Sequence, residues 1–201
     1  MRNSSLEPPF MRHLLIKLNK DLDKISNYCP SHHSEITQEL PIHRMVLLLE
    51  DRRFFNHWGI DVWSLKRELF RFLTFRKHGG ASTIDMQLVR TITDYRERTI
   101  YRKIYEMILA FLIQYHCSKW QILQSYLDEA YFGSGLRGTR VSSQELYGKQ
   151  PSRLSIEEAA ELASLLVYPK PRNPGQRWRA KVERRARYAS RLNARFKKIS
   201  K

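Results

Sequence analysis

The sequence predicts a mostly α-helical domain, and three features favour that class. Apolar residues recur at spacings of three and four along most of the chain, whereas runs that alternate apolar and polar residues are few. No segment repeats at a fixed period, which excludes solenoid and propeller architectures. The 201 residues, 42% of them hydrophobic, are enough for one domain with a buried core.

The charge of the chain predicts an anionic partner. A net charge of +16 favours nucleic acid, phospholipid headgroups or a phosphorylated substrate. From residue 170 to 201, thirteen Lys and Arg stand against the single acid Glu183, so this segment carries +12 and is expected to be a docking surface. We divide the chain into an N-terminal arm (1–40), a compact domain (41–190) and a basic tail (191–201).

The N-terminal arm is polar and contains Pro8, Pro9 and Pro30, which predicts an extended or loosely docked segment. It has no signal-peptide core, and the longest apolar runs elsewhere, 45–49 and 107–113, fall below the ~18 residues that a membrane-spanning helix needs. Cys29 and Cys117 lack the spacing of a zinc site or a disulfide framework, so we expect packing residues.

The compact domain is expected to start with a helix at Pro41, a residue that suits the first helical position. This helix buries one apolar stripe, made of Ile42, Met45, Val46 and Leu49. Glu50 lies on the flank of that stripe, where partial desolvation favours the neutral form that a general acid or base uses. The alternative is that Glu50 and Asp51 pair with Arg52 and Arg53 on a solvated helix end.

The stretch HGGASTIDMQLVR, residues 78–90, predicts a tight turn that leads into a helix. Gly79 and Gly80 allow the turn, and Ser82 is placed to cap the helix with Asp85 three residues later. Free backbone N–H groups at a helix start bind phosphate oxygens well. The pattern alone is common, and it lacks the spacing of a P-loop or a dinucleotide fingerprint.

A second helix through RKIYEMILAFLIQY is apolar nearly all round, so it is expected to be central. Its main apolar stripe is formed by Ile104, Ile108, Phe111, Leu112 and Tyr115. Glu106 lies on the opposite side and needs a partner, which Arg102 or Lys103 could supply. An intrahelical ion pair with no other role is the alternative to a catalytic function.

Two acids, a glycine-framed helix start and several cations suit a reaction whose leaving group is a phosphate or diphosphate. In this order the segments EDRRFFNHWGID, GGASTIDMQLVR, RKIYEMILA, SKWQILQSYLDEAYFG and YGKQPSRLSIEEAAELASLLVYPKPRNP resemble the peptidoglycan glycosyltransferases, glycosyltransferase family 51. The resemblance covers roughly 42–187. It implies a lysozyme-like, two-lobed fold with a head, a membrane-facing jaw at about 62–78 and a cleft between them. No transpeptidase region follows, so the resemblance is to the monofunctional type.

The resemblance implies that the chain polymerises lipid II into glycan strands, with inversion at the anomeric carbon and release of undecaprenyl diphosphate. Glu50 matches the general base, which takes the proton of the acceptor GlcNAc 4-hydroxyl as this oxygen attacks C1 of the donor MurNAc. Glu106 matches the second acid. The residues that match those holding the diphosphate are Ser82, Gln87, Arg90, Arg98 and Lys103. No cofactor is expected to be required and no metal ligands are assigned, although a divalent cation such as Mg²⁺ could assist at the diphosphate.

The implied partners are lipid II, the growing glycan strand, cell-wall assembly proteins and an anionic membrane surface. The implied location is peripheral, on the outer (periplasmic) face of the bacterial cytoplasmic membrane. The jaw mixes apolar and basic residues, which suits an interface of acyl chains and anionic headgroups. The apolar residues are Phe70, Phe72, Leu73 and Phe75, and the basic ones are Arg67, Arg71, Arg76 and Lys77. The alternative is an amphipathic helix that packs on the head.

Several positions depart from the family pattern. Where the family reads STITQQ this chain reads STIDMQ, so Asp85 is expected to place an anion near the diphosphate site. Gln124 and Asp128 replace the usual Glu and Asn of the fourth motif. These changes favour an alternative function, a catalytically silent relative that binds lipid II or the membrane surface as a scaffold. Nucleic acid ranks last as a partner, because helical spacing is expected to spread the arginines of 177–198 over several faces.

Overall fold

The computed structural model describes residues 9–32, 39–74, 80, 82–95, 97 and 99–199. Helices dominate these ranges, which confirms the mostly α class. They are α1 (Pro9–His32), α2 (Pro41–Glu50), α3 (Val62–Leu73), α4 (Ile84–Thr93), α5 (Ile100–Leu112), α6 (Lys119–Glu129), α7 (Thr139–Tyr147), α8 (Ile156–Ser164) and α9 (Gln176–Ile199). A short antiparallel hairpin pairs β1 (Tyr131–Gly133) with β2 (Leu136–Arg137).

Side-chain caps fix where several helices begin. Two helices, α6 and α8, start with reciprocal capping boxes, formed by Ser118 with Gln121 and by Ser155 with Glu158. At α4 the cap is Thr83, whose hydroxyl accepts the N–H of Met86 at 3.3 Å. The prediction of Ser82 as this cap is wrong, because Thr83 takes the extended conformation next to the first helical residue. The hydroxyl of Ser82 is therefore available to another partner.

One buried apolar cluster connects the helices. The first helix of the compact domain, α2, begins at Pro41 as predicted and buries Ile42, Met45 and Val46. It packs against α8 and α9, while α4 packs against α5 and α6. The tight packing on both sides places the end of α2 and the start of α4 at fixed positions, and both ends belong to the candidate site.

The N-terminal arm differs from the prediction. Residues 9–32 form a helix instead of an extended segment, and α1 packs against α4, α5 and α6. Its buried side chains include Ile25 and Cys29, and the hydroxyl of Tyr105 donates to Asp21 at 2.7 Å. The cause is a helical apolar spacing in the arm, formed by Leu14, Leu18, Leu22, Ile25 and Cys29. Cys117 is also buried, and both cysteines are free, as expected of packing residues.

Helix α5 is also less central than predicted. Its buried face carries Tyr105, Glu106, Leu109 and Ala110. The opposite face, which the sequence predicted to be buried as the main stripe, leaves apolar side chains between 41% and 65% exposed: Ile104, Ile108, Phe111 and Tyr115. Helix α5 thus has one apolar face in the core and a second apolar face on the surface.

Helix α3 covers most of the predicted jaw. Phe70 and Leu73 are 62% and 66% exposed, and Arg67 is exposed beside them. The side chain of Phe72 and the segment 75–79, with Phe75, Arg76 and Lys77, lie outside the described residues. Across the described ranges we find no helix with the length and apolarity that crossing a bilayer demands.

Residues 176–199 of the basic C-terminal segment form one continuous helix. Because α9 runs from Gln176 to Ile199, the boundary predicted at residue 191 has no counterpart in the backbone. Exposed residues follow one another at helical spacings of three and four along one side: Arg177, Lys181, Arg184, Tyr188, Arg191 and Arg195. The arginines of α9 nevertheless spread over several faces, as predicted, because Arg179, Arg185 and Arg187 lie away from this side, while the side itself is a basic face.

Candidate active site

Glu50 is the last residue of α2, and its side chain is only 13% exposed. Its Oε1 accepts a hydrogen bond from Nη2 of Arg185 on α9 at 2.7 Å. The neighbouring Asp51 pairs with His57 at 3.0 Å. Neither acid pairs with Arg52 or Arg53 as the simpler hypothesis held, because the chain turns after α2 and aims both carboxylates inward.

A cleft of about 510 Å³ opens beside Glu50. Ser82 and Thr83, at the start of α4, line the same cleft with Gly80. Its cationic wall consists of Arg52, Arg53 and Arg67. The cleft therefore combines a carboxylate, a helix N-terminus and several positive charges, which is an arrangement suited to an anionic ligand.

Lys103 joins the cleft through Ser82. Its Nζ donates to Oγ of Ser82 at 2.7 Å, across from α5 to the start of α4. The pKa of Lys103 is lowered, first by burial and then by the charges of Arg90 and Arg102, against the opposing effect of Glu106. A partly desolvated cation attracts an anion more strongly than a solvated one does, because there is less water to screen the charge.

Glu106 lies behind Lys103 on α5 and is fully buried, at 1% exposure. Its Oε1 pairs with Arg102 one turn earlier at 2.6 Å, and Arg102 is one of the two partners that the spacing allowed. The second oxygen, Oε2, and Nε of Arg102 are buried with no hydrogen-bond partner among the described residues. A buried carboxylate that keeps one oxygen free is costly, and such groups occur more often at functional sites than in ordinary packing.

Gln87 and Arg90 lie on α4, close to α6. Oε1 of Gln87 accepts the hydroxyl of Tyr126 at 2.8 Å. Burial raises the pKa of Tyr126, the charge of Glu50 raises it further, and Arg90 lowers it. Tyr126 therefore remains a protonated donor that lies within the electrostatic reach of both the carboxylate and the guanidinium.

The described members of the predicted site lie close together: Glu50, Ser82, Gln87, Arg90, Lys103 and Glu106. Arg98 lies outside the described residues. Two neighbours were not predicted, Arg185 and Tyr126. Arg185 sits in a run of arginines that gives no sign of which one turns inward, and Tyr126 sits in an ordinary helical pattern.

The loop after α2 is held against two helices. Oδ2 of Asp51 accepts the N–H of Ile84 at 3.2 Å, so the residue after Glu50 is tied to the first residue of α4. Thr83 donates to the carbonyl oxygen of Gly59 at 2.6 Å. Gly59 itself has φ +72°, and a Cβ there would lie 2.0 Å from the carbonyl oxygen of Ala110, so only glycine fits. These contacts fix Glu50 relative to the helix start.

Asp85 does not enter the cleft. It is fully buried, and its Oδ1 accepts from Lys119 at 3.0 Å and from Gln114 at 2.6 Å. The expectation of an anion near the diphosphate site is therefore wrong, because position 85 faces the core while Ser82 faces the cleft. Burial raises the pKa of Asp85, and the charge of Lys119 opposes this effect.

Potential metal ligands gather at one place in the described structure, where atoms of Asp51, His57 and Asp85 lie within 4.8 Å of one another. Asp51 already bonds His57, and Asp85 bonds the ammonium of Lys119. Nζ of Lys119 also lies 4.3 Å from the ring centroid of Phe54. The donor set therefore fits an internal ion-pair network better than a metal ion.

A magnesium ion held by the protein does not fit the cleft either. The carboxylates that line it within the described ranges are Glu50, Asp51 and Asp61. Each already has a partner, which is Arg185, His57 and Ser64 respectively. Mg²⁺ needs several oxygen ligands, so a cation here would depend on oxygens that the ligand itself brings.

The two changes in the fourth motif lie away from this cleft. Gln124 donates to Asp128 at 2.9 Å and bonds His43 at 3.1 Å. Gln124, Asp128 and His43 line a different cavity, bordered by Gly138 and Thr139. Gln124 therefore borders that cavity and does not line the cleft beside Glu50.

Comparison with known proteins identifies the family of the chain. A transglycosylase family profile matches residues 23–193. The chain is 36% identical over 151 residues to the biosynthetic peptidoglycan transglycosylase of Shewanella frigidimarina, which covers 74% of this chain and 67% of that protein. It is 36% identical over 143 residues to penicillin-binding protein 1A of Rickettsia conorii, covering 69% of this chain but only 18% of that protein. The chain belongs to the transglycosylase family, the peptidoglycan glycosyltransferases of glycosyltransferase family 51.

Proposed function

We propose that the chain polymerises lipid II into glycan strands by inverting transfer, with release of undecaprenyl diphosphate. The observation that carries the proposal is the shared cleft of Glu50 and Ser82, with Lys103 hydrogen-bonded to Ser82. A base and an anion-binding helix start on one cleft are the two groups that transfer from a diphosphate requires.

In this reaction Glu50 is the general base. The acceptor 4-hydroxyl loses its proton to the carboxylate while its oxygen forms a bond to C1 of the donor. The bond from C1 to the diphosphate breaks, and the diphosphate leaves with the electron pair. Lys103, Arg90 and the positive end of the α4 helix dipole stabilise the charge that develops there. Ser82 orients Lys103, and Glu106 keeps Arg102 and Lys103 in place.

The same proposal includes contact with an anionic membrane, at the outer face of the cytoplasmic membrane. Exposed apolar side chains on α3 and on the outer face of α5 support it, with Trp63 at 64% and Ile104 at 53% exposure. Arg67 and Lys66 lie beside Trp63 on α3 and suit acidic headgroups. A substrate with a lipid tail is reached most directly by a protein that rests on the bilayer surface.

A second candidate is a silent relative that binds lipid II without polymerising it. The feature that favours it is the exposed basic face of α9, which lies outside the cleft that Glu50 lines. The basic face of α9 would serve such a protein as a docking surface for assembly partners.

Polymerisation of labelled lipid II in detergent by the purified chain tests the two candidates. We expect glycan strands, resolved by length on a gel, together with saturable lipid II binding. Binding without strands would overturn the proposed reaction and favour the silent relative. A chain that neither binds lipid II nor forms strands would exclude both candidate functions.

Lys103 gives a pH prediction. Because the pKa of Lys103 is lowered, the ammonium is lost at a lower pH than for an ordinary lysine, so polymerisation falls early on the alkaline side. Lys103→Arg is expected to move this alkaline limb to higher pH, since a guanidinium stays charged. Rates measured between about pH 7 and pH 10, below the ordinary lysine pKa, check the shift. Lys103→Gln should lower the rate about 100-fold near neutral pH, where the parent keeps its ammonium, and the difference should shrink as the parent loses that charge at higher pH. Equal alkaline limbs for parent and Lys103→Arg would contradict the assignment.

A further inference from the structure

We infer that Arg185 is the positioning residue of the general base, so that helix α9 is part of the catalytic apparatus. This inference rests on the proposed function. It assigns to one arginine of the basic C-terminal segment a role that the charge of that segment does not reveal.

The first observation is the geometry of the contact. Nη2 of Arg185 lies 2.7 Å from Oε1 of Glu50 and 3.4 Å from the carbonyl oxygen of Leu49. One nitrogen therefore holds both the carboxylate and the backbone at the end of α2. A glutamate at a helix terminus otherwise samples several rotamers, and the guanidinium restricts it to one.

The second observation is which oxygen is held. The ion pair engages Oε1 of Glu50, and no described contact engages Oε2. A one-sided pair fixes the plane of the carboxylate and leaves one oxygen for the acceptor hydroxyl. The proton of that hydroxyl passes to Oε2 as the new C–O bond forms. Small errors in the position of a reacting group reduce rates strongly, so fixing the plane matters for the reaction.

The third observation is an unsatisfied donor. Nε of Arg185 is buried and has no hydrogen-bond partner within the described structure. Arginines that serve stability alone are normally satisfied, because a buried unpaired N–H destabilises the fold. Nε of Arg185 thus lacks a hydrogen bond, while Nη2 of the same side chain contacts Glu50 from a helix that packs on both α2 and α8.

Helix α9 supplies a matched control. Arg187 is two residues away and pairs with Glu183 on the exposed surface of the same helix. Arg187→Gln removes the same charge from the same helix and touches neither Glu50 nor the cleft. A general effect of charge on α9 would appear in both variants, whereas a positioning effect appears only at 185.

The test compares the parent chain with Arg185→Gln, Arg185→Lys, Arg185→Ala and Arg187→Gln. We expect kcat for lipid II polymerisation to fall about 100-fold in Arg185→Gln, with KM and lipid II binding unchanged within about twofold. Arg185→Lys should recover part of the loss, and millimolar guanidinium should raise kcat of Arg185→Ala but not of the parent. Arg187→Gln should match the parent.

The outcomes separate the two levels of inference. If the parent and Arg185→Gln form strands at the same rate, the positioning role is overturned and the proposed function stands. A parent that makes no strands overturns the proposed function and this role with it. If circular dichroism shows that Arg185→Gln does not fold, the kinetics of Arg185→Lys decide. A folded Arg185→Lys with a changed KM and an unchanged kcat would contradict the positioning role.

Discussion

Replacing Glu50 by glutamine is expected to lower the polymerisation rate about 1,000-fold. Gln cannot take a proton from the acceptor hydroxyl at neutral pH, but it keeps the size of Glu and an oxygen that Arg185 can bond. The fold and the cleft should therefore survive the change. Strand formation from labelled lipid II, followed over time, measures the rate, and lipid II binding by the same variant should stay within about twofold of the parent.

Glu183→Gln is the matched control, because Glu183 is an exposed acid on α9 whose partner is Arg187. It should polymerise like the parent. If Glu50→Gln retained more than about a tenth of the parent rate, proton abstraction would have to be assigned to another group. Glu106 would then be the next residue to replace, since its Oε2 has no partner in the described structure.

The second large effect concerns stability. Lys119→Met should lower the free energy of unfolding by about 3 kcal/mol at pH 7, because it leaves the buried carboxylate of Asp85 without its cation. Methionine retains most of the aliphatic volume beside Phe54, so lost packing contributes little. Denaturant unfolding followed by circular dichroism measures the difference.

The loss of unfolding free energy in Lys119→Met should also depend on pH. Burial raises the pKa of Asp85 in the folded state, and loss of Lys119 removes an effect that lowers it. A carboxyl group whose pKa is higher in the folded state than in the unfolded state stabilises the fold while it is protonated. This contribution is complete below the unfolded-state pKa of about 3.9 and is lost as pH rises through the folded-state pKa. The deficit of Lys119→Met relative to the parent should therefore shrink from pH 7 towards pH 4.

Lys149→Met controls for loss of a lysine. Its partner is Glu158 at 2.6 Å, but Lys149 is 43% exposed, so solvent screens the pair and its loss should destabilise the fold far less than loss of Lys119. Equal destabilisation by Lys149→Met and Lys119→Met would contradict the special role of burial. A deficit that does not change with pH would show that Asp85 is not the group responsible.

The position of Asp85 also bears on whether the chain is active. From sequence, an acid within the second motif is expected to oppose diphosphate binding. In the structure Lys119 balances the charge of this carboxylate in the core and Gln114 donates a hydrogen bond to it, while the cleft keeps Ser82 and the charge of Lys103. The substitution at 85 therefore gives no electrostatic reason for lost activity. Gln124 and Asp128 border another cavity, so their effect would be indirect.

Local rules allowed much of the fold to be predicted from the sequence. Pro41 and the stripe after it predicted α2, and helical spacing predicted that Arg102 or Lys103 pairs with Glu106, of which Arg102 does. These features depend on residues within one or two turns of each other, and helical geometry sets those distances wherever the helix lies. The resemblance to a family added the grouping of Glu50 with Ser82 and Lys103, which local spacing does not provide.

The tertiary structure alone decided the contacts between distant segments. The sequence by itself determined that α9 is basic, but only the packing of α9 on α2 decided that Arg185 turns towards Glu50. It likewise determined that Asp85 is an acid within a helix, and only the packing of α4 on α6 decided that Lys119 neutralises it. Residues 34 or more positions apart are brought together by burial of apolar faces, and the pattern along one helix does not specify which face of another it will meet.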